Sequence, residues 1–170
     1  HAIPVVIDNA TPRIIGANPT LEHLEHSPSI AGDRTVFVRE DPDNNPVTTG
    51  NALFLHDPAL INLPPESNRS CPVTAVSGEE LFANPVLSNL GGALRLVFEK
   101  KLTAADKSDV WFCDVIPLAA STTVCPLGST RCSQVNLSRS STTNEVAPDI
   151  EGVEAVWQTS VQPPSNNEVF

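Results

Sequence analysis

The sequence predicts an all-β fold of four-stranded antiparallel sheets, about three of them in 170 residues. Three observations predict it. One strand pattern recurs three times, anchored on Pro28, Pro85 and Pro148, which lie 57 and 63 residues apart. The runs after each proline are rich in Val, Leu, Phe and Trp and are bounded by Gly, Pro, Asn and Asp, which is how short strands and their turns read. No apolar period of 3.6 residues persists over the length of a helix.

The copies align residue by residue. Each begins with a small or polar residue, then Pro, one residue and an aliphatic: Ser27-Pro28-Ser29-Ile30, Asn84-Pro85-Val86-Leu87 and Ala147-Pro148-Asp149-Ile150. A Gly-containing turn follows, at Gly32, Gly91-Gly92 and Gly152. The next strand is predicted over 34–39, 92–99 and 153–158, where β-branched and aromatic residues stiffen an extended backbone. A third strand is expected over 51–57, 109–114 and 167–170. A fourth is expected over 12–15, 72–76 and 133–137, the first of these completing a blade from the N-terminal side. Polar stretches over 21–26, 78–82 and 140–146 are read as linkers into the next proline. Residues 102–107 have the composition for one helical turn, but they fall where a hairpin loop belongs.

A four-stranded unit repeated along a chain resembles the blades of TolB-like and WD-repeat-like β-propellers. The match is best over Pro148-Asp149-Ile150-Glu151-Gly152 and Val156-Trp157-Gln158. The resemblance implies propeller-type blades over residues 1–170, with structural roles for the recurring Asp57 and Asp114 on turn backbone. These repeats are longer than the usual 40-odd residues. Three blades are fewer than the 4–8 of a closed ring. The expected partners are therefore copies of the chain itself, as two chains giving six blades, or missing blades of a longer chain; other surface proteins or glycans are further candidates.

Composition narrows the class. The formal charge is −10, with 20 acidic against 10 basic residues, and a nucleic-acid partner requires the opposite balance. No apolar run approaches the roughly 18 residues of a membrane span. Met and Tyr are absent and the first residue is His1; removal of a secretory signal is the simplest account. Four cysteines allow three pairings. The Pro and Gly between Cys125 and Cys132 predict a local clip joining those two, which leaves Cys71 and Cys113 as the second pair. Disulfides place the chain in a secreted, cell-surface or periplasmic setting.

Candidate chemistry is sparse. Asp41, Asp43 and Asn45 present oxygen ligands at alternate positions, as a Ca²⁺ loop does, although Pro46 stands where such a loop turns on Gly and turn-forming Asp and Asn account for the same residues. His1 could bind copper through amine and imidazole, as in the histidine brace of lytic polysaccharide monooxygenases. Such a site needs a second His, for which His23, His26 and His56 are available, and usually an axial Tyr, which the chain lacks. His23-x-x-His26 is spaced for a shared metal on a helical turn but lies in a polar segment. Asn9, Asn68 and Asn136 open N-glycosylation triplets. Trp111 and Trp157 can stack on a sugar, but their place in strand runs favours core packing. No nucleophile elbow, phosphate loop or HExxH motif is present. The reading is a non-enzymatic extracellular or periplasmic module for protein binding or self-assembly, with no cofactor required. Its rivals are a carbohydrate-active enzyme (a propeller hydrolase fragment or a His1 copper monooxygenase) and a calcium-dependent adhesion or lectin-like module.

Overall fold

The computed structural model describes residues 25–40, 50–64, 67, 69–76, 78–139, 142–160 and 167–169. Eleven strands among them form three antiparallel sheets. The first holds β1 (Glu25–Ala31), β2 (Arg34–Glu40), β3 (Asn51–His56) and β4 (Ser70–Pro72), in that spatial order. The second holds β5 (Leu81–Leu90), β6 (Ala93–Lys101), β7 (Asp109–Val115) and β8 (Val135–Asn136). The third holds β9 (Asn144–Glu151), β10 (Glu154–Ser160) and β11 (Asn167–Val169). The chain is all-β, as expected; Gly128–Thr130 form a 3-10 turn. The expected strand over 12–15 lies outside the described residues, and 102–107 forms turns instead of a helix.

The prolines do not open strands. Each sits inside the first strand of its sheet, so the segments read as linkers contribute Glu25 and His26, Leu81 and Phe82, and residues 144–146 to pairing. The reason is a bulge that the sequence pattern conceals. Register breaks between His26 and Ser29, between Ala83 and Val86, and opposite Trp157 in the third sheet. Two residues there face one: Ser27-Pro28 faces Phe37, Asn84-Pro85 faces Phe98 and Ala147-Pro148 faces Trp157. The residue before each proline has positive φ: 52° at Ser27, 46° at Asn84 and 49° at Ala147. A bulge on an edge strand tolerates Pro, which cannot donate to a ladder. An aromatic ring recurs opposite it in every sheet.

Positive φ costs an L-residue about 1–2 kcal/mol, and Ala147 has no side-chain group with which to offset it. Ala147→Gly relieves that strain and gives back about 0.5–1 kcal/mol in backbone entropy. The expected net gain is about 0.5 kcal/mol, visible as a raised urea midpoint at unchanged slope. A lowered midpoint would contradict the bulge geometry.

The sheets stack in chain order. The face of the first sheet carrying Val36, Val38, Leu53 and Leu55 packs on Phe82, Leu87, Leu94, Leu96 and Phe98 of the second, all of them buried. Phe82 and Phe98 meet at 5.6 Å between centroids, and burying each such side chain is worth about 1.5–3 kcal/mol. β5 packs on β9, and β6 and β7 reach β9 as well. Equivalent N–H groups tie both junctions: Phe82 N donates to Asn51 Oδ1 at 2.6 Å, and Glu145 N donates to Ser108 O at 2.7 Å.

The β7–β8 connection leaves the second sheet and crosses the outer edge of the first. Gly128 lies so close to Thr74 that a Cβ there would stand 1.8 Å from the Thr74 carbonyl oxygen. Asn62 Nδ2 donates to Ala120 O at 2.9 Å, and Leu118 packs with Leu60 and Leu63. An open strand edge invites pairing with other chains, and this connection lies against β4, the edge strand.

Here the cysteine expectation is corrected. The bridges are Cys71–Cys125 and Cys113–Cys132, with Cα separations of 5.4 and 5.3 Å. Cys125 and Cys132 do not pair, because the chain between them runs over Thr74 instead of doubling back. Residue 132 returns to β7, where Val115 bridges Cys132 and Cys113 is adjacent. Cys125 is left beside β4 and Cys71. One bridge therefore closes onto β7 of the second sheet and the other ties the β7–β8 connection to β4 of the first. Two disulfides fit an oxidising environment. No helix among the described residues is long and apolar enough to cross a membrane.

Candidate functional site

Strand register relates two of the residues singled out by sequence. Counting from the aromatic opposite each bulge, Asp57 and Asp114 occupy the same place, and so do Arg34 and Arg95. The pairs recur: Arg34 Nε lies 2.8 Å from Asp57 Oδ2, and Arg95 Nε lies 3.5 Å from Asp114 Oδ1. Asp57 is buried, and its Oδ1 also accepts the Ala59 N–H at 3.0 Å, which is a turn-backbone role. Asp114 is exposed, so its pair adds little.

Arg131 carries no signal in the sequence pattern, yet it is buried where the first two sheets meet. Its guanidinium donates to the carbonyl oxygens of Cys71 at 3.3 Å, Pro72 at 3.1 Å and Ile116 at 3.4 Å. Burial pushes it down to about 10, opposed by the charge of Asp57. It remains protonated at neutral pH, and its planar fork satisfies three carbonyls that a lysine could not reach together.

Other sequence candidates separate. Asp41, Asp43 and Asn45, together with His1, His23, Asn9 and Asn68, lie outside the described residues. His26 is on β1, with Nε2 2.7 Å from Glu40 Oε1 and Nδ1 3.0 Å from Ser27 Oγ. His56 approaches Ser70 Oγ at 3.4 Å. Among the described residues, no three His, Cys, Asp or Glu side chains cluster to hold a metal.

A cleft of about 430 Å³ opens at the β6–β7 connection. It is lined by Lys100, Leu102, Ala105, Asp106, Lys107, Asp109, Trp111 and Asn136. Strand pairing places most of the polar and aromatic groups: Lys100 faces Asp109 across β6–β7, and Trp111 faces Asn136 across β7–β8. The turn that carries Asp106 is fixed by its own carboxylate. Asp106 Oδ2 accepts the Thr103 N–H at 2.8 Å and the Thr103 hydroxyl at 2.9 Å. Asn136 Nδ2 donates to Asp109 Oδ2 at 2.7 Å, Ser138 Oγ donates to Asp109 Oδ1 at 3.1 Å, and the Arg139 N–H donates to Asn136 Oδ1 at 2.8 Å. The Asn136 carboxamide is thereby committed to protein partners.

Lys100 completes one wall. Its Nζ contacts Glu80 Oε1 at 2.8 Å and Gln134 Oε1 at 2.7 Å, and it stands 4.6 Å from the centroid of Trp111. Trp111 has both of the roles weighed from sequence, since it packs at the rim of the main core and also lines the cleft. Trp157 is half-buried within β10. The polar wall around Trp111 was missed because its residues come from β6, a loop, β7 and β8, and only sheet pairing unites them. No family model matches the chain, and comparison with curated proteins and with solved structures finds no match either.

Proposed function

We propose that the chain is a propeller-type repeat module of a secreted, cell-surface or periplasmic setting, non-enzymatic, that joins its end sheets to those of further copies. One observation carries this reading: the outermost sheets leave open the positions that the inner junctions cover. Leu87 and Ile150, two residues beyond their prolines, are 5% and 8% exposed, whereas the equivalent Ile30 is 56% exposed. Val36 and Val97 are fully buried, whereas the equivalent Val156 on the far side of the third sheet is 45% exposed. Each junction joins one kind of face to the other kind, so association of this type is head to tail. Phe37, Ala52 and Phe54 on the first face are already packed with Val76, and the Arg39 guanidinium lies 4.1 Å from the Phe54 centroid. The joining surface at that end is therefore centred on Pro28 and Ile30.

Two chains would supply six sheets. Native mass spectrometry and sedimentation of the full chain should give a closed oligomer, with a dimer as the expected species. Ile30→Glu and Val156→Lys, both at exposed positions, should each return it to monomer with an unchanged circular dichroism spectrum, and with the melting temperature lowered only by the stabilisation that association had supplied. A wild-type chain that stays monomeric at high micromolar concentration would refute self-assembly.

A further inference from the structure

We infer that the cleft around Trp111 is a binding site for a neutral pyranose sugar. The volume of about 430 Å³ falls within the range of small-ligand clefts, about 300–1,000 Å³. The lining combines an indole with fixed acceptors. A pyranose ring offers an apolar C–H face to an aromatic side chain and hydroxyl donors around its rim. Asp106 is held through Oδ2 by the Thr103 N–H and hydroxyl and retains acceptor capacity, since a carboxylate takes about four hydrogen bonds. Hydroxyl-to-carboxylate bonds are shorter and stronger than neutral ones. Because Asp106 is positioned before any ligand arrives, little ordering is needed on binding.

Charge selects the ligand class. The lining carries two ammonium groups, Lys100 and Lys107, and two carboxylates, Asp106 and Asp109. An anionic sugar would meet those carboxylates on a chain of net charge −10. A cationic ligand would meet the ammonium groups of Lys100 and Lys107. A neutral polyol meets neither obstacle.

The chain has two tryptophans, so Trp157→Phe leaves Trp111 as the sole indole emitter in the full-length protein. Cellotriose, maltotriose and triacetylchitotriose are the probes. At least one should change the emission of Trp111 saturably, with half-saturation near 1 mM or somewhat above, as suits a shallow site with one aromatic platform. Asp106→Ala should weaken that binding about tenfold, in keeping with the loss of one charge-assisted bond. Amide shifts at Lys107 and Asn136 on titration provide a second readout that needs no further substitution. Absence of a saturable response to all three sugars up to about 50 mM would overturn the assignment, as would a saturable response to 1,4-diaminobutane in their place. The oligomeric state bears on neither outcome.

Discussion

Replacing the inter-sheet bridge by Cys71→Ala with Cys125→Ala is expected to remove about 4 kcal/mol of stability. The bridge closes a separation of 54 residues, and chain-entropy arithmetic for a loop of that length gives this figure. For a chain of this size the melting temperature should fall by about 8–16 °C. The Cys113–Cys132 bridge spans 19 residues, and the same arithmetic gives about 3 kcal/mol. Cys113→Ala with Cys132→Ala is the matched comparison, alanine being used for both pairs because serine would bury a hydroxyl at Cys71 as at Cys113. Thermal unfolding monitored by circular dichroism measures both pairs. A loss below about 1 kcal/mol for the inter-sheet pair would show that the β7–β8 connection holds its place by packing alone. Peptide mapping under non-reducing conditions tests the connectivity itself, and a peptide joining Cys125 to Cys132 would overturn it.

The second large effect is expected at Gly128. A methyl group there would sit 1.8 Å from Thr74 O, 2.6 Å from its carbonyl carbon and 2.9 Å from its nitrogen. All three are backbone atoms, so no side-chain rotation relieves the clash. Gly128→Ala should cost about 3 kcal/mol or more, at the upper end of overpacking effects. Gly91→Ala is the control. Its Cβ meets nothing within 4 Å, but φ is 63°, so its cost is the conformational one of about 1–2 kcal/mol. Equal urea midpoints for the two variants would remove the argument for close contact between the connection and the first sheet.

Much of the strand order was legible because β-branched and aromatic runs alternate with Gly and Asn turns. The runs containing Val36 and Phe37, and Val97 and Phe98, lie in central strands buried on both sides, so they read as unbroken apolar stretches. The start of β1, β5 and β9 was not legible. His26, Phe82 and Val146 pair across the sheet, but the proline that follows looks like a strand opening unless the bulge is known. The paired Asp57 and Asp114 were visible as a recurrence, whereas their Arg34 and Arg95 partners emerge only from register. Cysteine connectivity was misread because nearness in sequence stood in for nearness in space. Arg131 and the polar wall of the Trp111 cleft gave no local signal, since each depends on strands far apart along the chain.

The bridge from Cys71 to Cys125 also bears on the order of maturation. A chain emerging from its N-terminal side completes all four strands of the first sheet well before Cys125 is made. Cys113 becomes available earlier than Cys125, so the first oxidation open to Cys71 during synthesis is the wrong one. Reaching the final connectivity then requires either that β7 sequester Cys113 promptly or that a thiol exchange catalyst reshuffle the early product. Yield of correctly bridged protein should accordingly depend on the redox couple supplied during synthesis.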